Sequence, residues 1–358
     1  MIVVVGAGVV GLAVARALAM RGRVVSVIER HARPGLETST HNSGVIHAGL
    51  YYPAASLKAR LCVEGRDRLY AFCRQASVPH MRCGKLVVGQ AGDEAGLARV
   101  LATATAAGAS LVPVDRSFIA AREPHVRAHA GLWSPDTGWL EAEALVRALR
   151  ADVERHVGIV LPHTDVIGLE PHGPHGLVVV TPRERIEASA LVNAAGLYAD
   201  EIAALAGGEP FRIHPCRGEY AELAPRARGL INGLVYPVPD ASGHGLGVHF
   251  TRTLGGEVWI GPTVRFQEDK QDYERDRLPL SAFLEPARRL VPALDEADLR
   301  LGGSGIRAKL HGPAEPFADF LIRRDTRNAA VIHAAGIESP GLTACLAIGE
   351  MVAALAAE

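Results

Sequence analysis

A glycine turn set between a strand and a helix limits the fold of this chain more than any other feature. Ile2 to Val5 is a short β-branched run, Gly6-Ala7-Gly8-Val9-Val10-Gly11 follows at once, and Leu12 to Met20 has the Ala-rich composition of a helix. Val24 to Ile28 then resumes a β-branched run that ends at Glu29 and Arg30. In this order every glycine has a physical reason to be there. Gly6 allows the tight turn, Gly8 lets backbone approach a diphosphate, and Gly11 lets helix and strand pack closely. The diphosphate would rest on the helix N-terminus. Glu29 would accept hydrogen bonds from both ribose hydroxyls of an adenosine and repel a 2′-phosphate. The expected fold class is α/β with a Rossmann-like dinucleotide domain, and the turn alone does not separate NAD from FAD.

Three more segments fit the same cofactor. Ala190 to Gly196 reads as a buried strand ending in small residues, so Ala195 and Gly196 would let a second stretch of backbone come close. Ala329 to Gly336 gives another apolar strand, and Gly341-Leu342-Thr343 opens a terminal helix running to about Ala357, whose free N–H groups would face an electron-rich ring. Thr38, Ser39, His41, Asn42 and Ser43 offer hydroxyls and donors to a diphosphate and its linking chain, and Gly44 would permit approach to a flat ring.

At 358 residues the chain exceeds one compact core, so a second domain is expected. Lys and Arg total 38 against 39 Asp and Glu, which leaves no bulk basic field to hold a nucleic-acid backbone. Five cysteines without a CxxC pair argue against a disulfide framework and a structural zinc site, and no HExxH occurs; no metal is expected. No stretch reaches the length of an apolar membrane span, so a cytoplasmic protein is expected. Arg212 to Leu223, Val235 to Pro239, Leu246 to Thr253 and Glu257 to Thr263 are short β-like runs that predict an antiparallel sheet for the second domain. Phe283 to Leu294 contains Pro286 and Pro292, which predicts only a short helix bounded by prolines.

Taken together these segments resemble the FAD-dependent oxidoreductase superfamily of D-amino-acid oxidase and glycerol-3-phosphate dehydrogenase over essentially the whole chain. The resemblance implies noncovalent FAD lying extended along a glutathione-reductase-type domain, with backbone of Val166 against adenine. That domain would be discontinuous (1–80, 142–210 and 300–358), and 81–141 with 211–299 would form an α+β substrate domain. His41-Asn42-Ser43-Gly44-Val45-Ile46-His47-Ala48-Gly49-Leu50-Tyr51-Tyr52 is similar to the L-2-hydroxyglutarate dehydrogenase (oxidase) branch. Arg217-Gly218-Glu219-Tyr220, Val235 to Pro239, Gly247 to Arg252 and Gly305-Ile306-Arg307-Ala308-Lys309 agree with it. Some relatives of this superfamily tether flavin through a histidine in the position of His41, but this branch implies no tether.

Oxidation of a 2-hydroxy acid needs a base for the hydroxyl proton, a hydride acceptor and a cation for the carboxylate. A histidine titrating near neutral pH is an economical base, and His249 and His47 are the candidates. Arg307, in the glycine-rich run Gly302 to Arg307, reads as the guanidinium on a turn that binds the reacting carboxylate. Tyr51, Arg217, Tyr220, Tyr236 and Arg252 are candidates for the second carboxylate of a dicarboxylic substrate. The expected reaction takes L-2-hydroxyglutarate to 2-oxoglutarate, with quinone, a carrier protein or oxygen as electron acceptor. The resemblance also allows peripheral membrane association. The alternatives are an amino-acid, amine or glycerol-3-phosphate oxidase on the same fold, and a regulatory protein that holds FAD without turnover.

Overall fold

Ile2–Val5 lies in the interior of a six-stranded sheet because it is apolar on both faces. Ile2 and Val4 join the core beneath the helices, whereas Val3 and Val5 join a separate core on the opposite face, as the two-residue period of a strand requires. The sheet order is Leu321–Arg324, Val331–Ala335, Ala190–Asn193, Ile2–Val5, Val25–Ile28 and Ile159–Leu161. All neighbours are parallel except the edge strand Leu321–Arg324. The structure is a computed structural model that describes residues 1–173, 176–239 and 246–357.

One face of this sheet carries the helices Val9–Ala19, Leu57–Gln75, Ala142–Arg155 and Gly341–Leu355. A three-stranded antiparallel meander, Gly168–His172, Gly176–Val180 and Arg185–Ala188, covers the other. The parallel strands deliver their C-terminal ends to one place: Val5, Ile28 and Ala334 border the cavity described below.

The second unit is a nine-stranded sheet. Its central strands His214–Leu223, Val258–Gly261, His249–Arg252 and Leu234–Pro237 form the ladder expected from the sequence, although Leu234–Pro237 pairs Lys85–Gly89 in parallel, so the sheet is mixed. Leu299–Lys309 departs further from expectation. The glycines at 302, 303 and 305 read as a turn, yet the segment is one eleven-residue strand paired antiparallel with His214–Leu223. A register shift between Glu219 and Ala221 takes up the irregularity. Residues 300–309 therefore lie in the second sheet rather than with the nucleotide-binding strands. A further departure is Pro286, which sits inside the helix Ser281–Leu290 rather than bounding it. Phe283, Leu284, Ala287 and Leu290 bury one face of that helix, and this burial offsets the backbone hydrogen bond that proline removes. Among the described residues no helix is long and apolar enough to cross a membrane.

Candidate active site

The turn after Ile2–Val5 holds its shape through contacts that exclude side chains. Gly6 has φ +100°, and a Cβ on Gly11 would overlap the Gly6 carbonyl oxygen. Helix Val9–Ala19 begins without a capping side chain of its own. Instead the hydroxyl of Ser39 accepts from Val9 N at 3.0 Å and comes so near Gly8 that a Cβ there would meet it at 2.7 Å. Glu29 is anchored by backbone donors, Oε2 accepting from Ala7 N and Oε1 from His31 N, each at 2.9 Å. A carboxylate oxygen accepts more than one hydrogen bond, so both oxygens keep capacity on the cavity side. The Arg30 guanidinium lies 3.8 Å from the centre of the Tyr198 ring.

From this turn one cavity runs to the second sheet. Its wall includes Gly6, Gly8, Glu29, Arg30, Thr38, Ser39, His41, Asn42, Ser43, Val166, Ala195, Gly196, Gly341 and Leu342 at the nucleotide side. His47, Tyr51, Tyr220, Tyr236, His249 and Arg307 complete it at the other. Helix Gly341–Leu355 also starts without a side-chain cap, so two helix N-termini open toward the same space. A dinucleotide with an electron-rich ring fits these donors, with Glu29 beyond the first helix for a ribose. Val166 borders the cavity from an irregular segment, not from a strand.

Several expected residues support the wall instead of forming it. Gly11 packs behind the turn, and Thr343 accepts through its hydroxyl from His47 N at 2.9 Å, tying the histidine loop to the terminal helix. Gly44 has φ +67°, and a Cβ there would overlap the Leu140 carbonyl oxygen, so its constraint is packing on Gly138–Leu140 rather than approach to a ring. Two residues of the wall itself are braced in the same way: Thr38 donates to Ile306 O at 2.9 Å, while Asn42 donates to Ser39 O at 2.8 Å and accepts from Gly44 N at 2.8 Å.

At the far end His249 is 4 % exposed and stacks on Tyr236, ring centres 3.6 Å apart and 17° from parallel. Its Nδ1 lies 2.8 Å from Gly247 O. A carbonyl only accepts, so Nδ1 carries the proton and Nε2 of the neutral ring is left as an acceptor. His47 Nε2 lies 3.2 Å from Ser339 Oγ. Burial holds both imidazoles down to a pKa of about 3, with the Lys85 ammonium a further cause in each case. Burial thus shifts both rings below the near-neutral titration expected of a histidine base and favours their neutral form.

Arg307 projects its guanidinium over Gly218, where a Cβ would lie 2.7 Å from Nη2, and donates to Thr263 O at 3.2 Å and 3.3 Å. Among the described residues no carboxylate pairs with it, so donors remain for a ligand. Arg217 and Arg252 do not reach the cavity. Arg252 donates to the carbonyls of Arg228 and Ile231, both at 2.8 Å. Arg217 is fully buried on Glu219 at 2.9 Å and Asp272 at 3.3 Å, and donates to Arg275 O at 2.6 Å. Strand alternation explains both corrections: Gly218 and Tyr220 face the cavity, which turns Arg217 and Glu219 away, and His249 faces it, which turns Arg252 away.

Sequence reasoning missed four charged residues. Lys85 is fully buried, its Nζ 4.3 Å from the Tyr236 ring centre and 4.6 Å from that of Tyr51, without a hydrogen-bond partner among the described residues. Burial lowers its pKa to about 7. A lysine opening the otherwise apolar strand Lys85–Gly89 was the available signal. Lys58, Lys309 and Glu338 border the cavity itself, whereas Lys85 lies against Tyr51 and Tyr236, which do.

A family profile described as FAD dependent oxidoreductase matches residues 1–355. The mitochondrial L-2-hydroxyglutarate dehydrogenase of Arabidopsis thaliana is 35 % identical, over 98 % of this chain and 82 % of its own length. The L-2-hydroxyglutarate dehydrogenase of Escherichia coli K12 is 30 % identical, over 97 % of this chain and 90 % of its own. Among solved structures, the dithionite-reduced L-alpha-glycerophosphate oxidase from Mycoplasma pneumoniae with FAD bound superposes with a TM-score of 0.90 at 24 % identity, covering 100 % of this chain and 94 % of that one. Glycine oxidase from Geobacillus kaustophilus gives 0.83 at 21 % identity, covering 99 % and 93 %. These two structures share the fold.

The burial of Arg217 yields a prediction. Arg217→Ala removes one of the two guanidiniums on buried Glu219, with Arg277 remaining at 2.9 Å, so unfolding free energy should fall by about 1–3 kcal/mol, measured by urea denaturation. An unchanged midpoint with a raised KM would return Arg217 to the substrate.

Proposed function

The chain belongs to the FAD dependent oxidoreductase family, and we propose that it oxidises an L-2-hydroxy acid, L-2-hydroxyglutarate foremost, to the 2-oxo acid. FAD is its cofactor, held by the glycine turn, Glu29, the Thr38 to Ser43 loop and the start of the terminal helix. The observation that carries the substrate reading is the pairing, in one cavity, of a neutral histidine with a guanidinium that no carboxylate among the described residues occupies. Both stand on the second sheet, His249 on His249–Arg252 and Arg307 on Leu299–Lys309.

When bound, FAD supplies the acceptor for the hydride that leaves the substrate α-carbon. The residues do the rest. Arg307 takes the carboxylate beside that carbon through parallel N–H donors, which fixes the α-carbon in place. His249 Nε2 accepts the hydroxyl proton, while the Gly247 carbonyl holds the ring in the tautomer that leaves this nitrogen free. Burial of the site excludes water and keeps the imidazole in its basic form. The substrate thus loses two electrons and two hydrogens, one hydrogen leaving as hydride with both electrons and the other as the proton on His249. Turnover then requires an electron acceptor, and comparing a soluble quinone, an electron-carrier flavoprotein and oxygen as oxidants assigns it.

His41 Nδ1 is engaged with Glu37 O at 3.0 Å and its ring leans on Tyr273, which leaves only Nε2 for a tether; we infer that FAD is noncovalent, as the resemblance implies, so acid denaturation should release it, and flavin retained in the pellet would make His41 a tether. Arg307→Lys replaces a planar fork by a point charge, so kcat/KM should drop by roughly 10²–10³ with FAD still bound. An unaltered kcat/KM would remove Arg307 from the substrate. His249→Ala should slow anaerobic flavin reduction by about 10²–10⁴. Because the His249 pKa is lowered to about 3, the wild-type rate should hold as pH falls below neutrality and decline only on approach to that pKa, with the protonated ring unable to accept. A decline centred on the ordinary histidine range, or a variant as fast as wild type, would contradict the assignment.

A further inference from the structure

With Arg217 and Arg252 turned away from the cavity, the second carboxylate of a dicarboxylic substrate needs another cation. Lys58 and Lys309 share a single carboxylate: each Nζ lies 2.9 Å from Glu338 Oε1, and Lys309 also reaches Oε2 at 2.8 Å. The three residues, Lys58, Lys309 and Glu338, are 3 %, 5 % and 8 % exposed, and all border the cavity. Two ammonium groups on one carboxylate leave an excess positive charge in a site largely closed to water. Such a charge is unfavourable unless an anion completes it. Neighbouring His311 adds no charge of its own, because its Nδ1 donates to Gly312 O at 3.0 Å and its Nε2 faces the Lys309 ammonium at 3.4 Å as an acceptor.

Strand geometry links this cluster to Arg307. Ile306 and Ala308 lie in an apolar core, so Arg307 and Lys309 share the opposite face of Leu299–Lys309, and both reach the cavity. Two residues along a strand rise roughly 7 Å. The four carbon–carbon bonds of a five-carbon diacid, about 1.5 Å each, bridge that interval when the two side chains lean together.

We propose that Lys58 and Lys309, poised by Glu338, form an anion subsite that holds the distal carboxylate of a dicarboxylic 2-hydroxy acid while Arg307 holds the proximal one. The inference rests on the hydroxy-acid reading above and adds the residues that set chain length and charge. Each ammonium has three donors: Lys58 gives one to Glu338, whereas Lys309 divides its three between the two Glu338 oxygens and His311 Nε2, so a ligand carboxylate would take the place of the long 3.4 Å contact to His311.

The test uses the purified holoenzyme and two ligands that cannot be oxidised, glutarate and pentanoate, which differ only in the distal carboxylate. Their dissociation constants are read from the perturbation of the flavin absorbance. Lys309→Met should weaken glutarate about 10- to 100-fold more than pentanoate, and Lys309→Arg should recover most of the difference. Lys58→Met, read in the same way, carries the test if Lys309→Met loses flavin. A glutarate-to-pentanoate ratio equal in wild type and variants would overturn the subsite and leave the cluster structural. A shifted flavin midpoint potential with that ratio unchanged would also overturn it, and give the charge to the cofactor. Wild-type enzyme that binds glutarate through Lys309 yet is not reduced by L-2-hydroxyglutarate would keep the subsite and remove the hydroxy-acid reading.

Discussion

The alternation of side chains along a strand decides which residues of the second sheet reach the cavity. Four strands of the second sheet, His214–Leu223, Leu234–Pro237, His249–Arg252 and Leu299–Lys309, border the cavity, and on them a residue's parity decides whether its side chain meets the cavity or packed protein. On Leu299–Lys309, Arg307 and Lys309 face the cavity while Ile306 and Ala308 close an apolar core, although Ile306 borders the cavity as well. On His214–Leu223, Gly218 and Tyr220 face it while Arg217 and Glu219 form an ion pair behind the sheet. The same rule sends His249 inward and Arg252 to the carbonyls of Arg228 and Ile231.

Burial then sets the charge state of what parity has placed. Removing water disfavours ionised forms, so His47 and His249 are held neutral and the Lys85 ammonium is drawn down toward neutrality. Glu338 goes the other way: its pKa falls to about 2 although burial alone would raise it, because two lysines stabilise the carboxylate. The resulting cavity combines neutral imidazoles with buried cations. Backbone groups complete the arrangement, since the Gly247 carbonyl chooses the His249 tautomer, and the Thr343 hydroxyl holds the His47 backbone to the terminal helix.

The nucleotide half was legible because its constraints are local. A turn that needs glycine at 6, 8 and 11, two-faced apolar strands and an acid at 29 declare themselves within one short stretch at the start of the chain. The second sheet was legible only in outline. Its strands appeared as β-like runs, but the glycines at 302, 303 and 305 mimicked a turn where a partner strand with a register shift accommodates them. Choosing Arg217 together with Tyr220, or Arg252 together with His249, placed residues of opposite parity on one face, an error that the numbering alone exposes. Lys85, Lys58, Lys309 and Glu338 were hidden for another reason. Their roles depend on burial and on contacts between segments far apart in sequence, and a charged residue in an apolar run gives only a hint of either.

The proposed oxidation of a 2-hydroxy acid rests on a buried neutral histidine in one cavity with a guanidinium that pairs with no carboxylate among the described residues. Anaerobic titration of the yellow holoenzyme with L-2-hydroxyglutarate tests this most directly, with bleaching of the flavin followed and the product assayed. The expected result is complete bleaching with stoichiometric 2-oxoglutarate, a single molecule for each FAD reduced, and no bleaching by glycine or glycerol 3-phosphate. Flavin that stays oxidised with L-2-hydroxyglutarate but is bleached by an amine or a phosphorylated alcohol would contradict it.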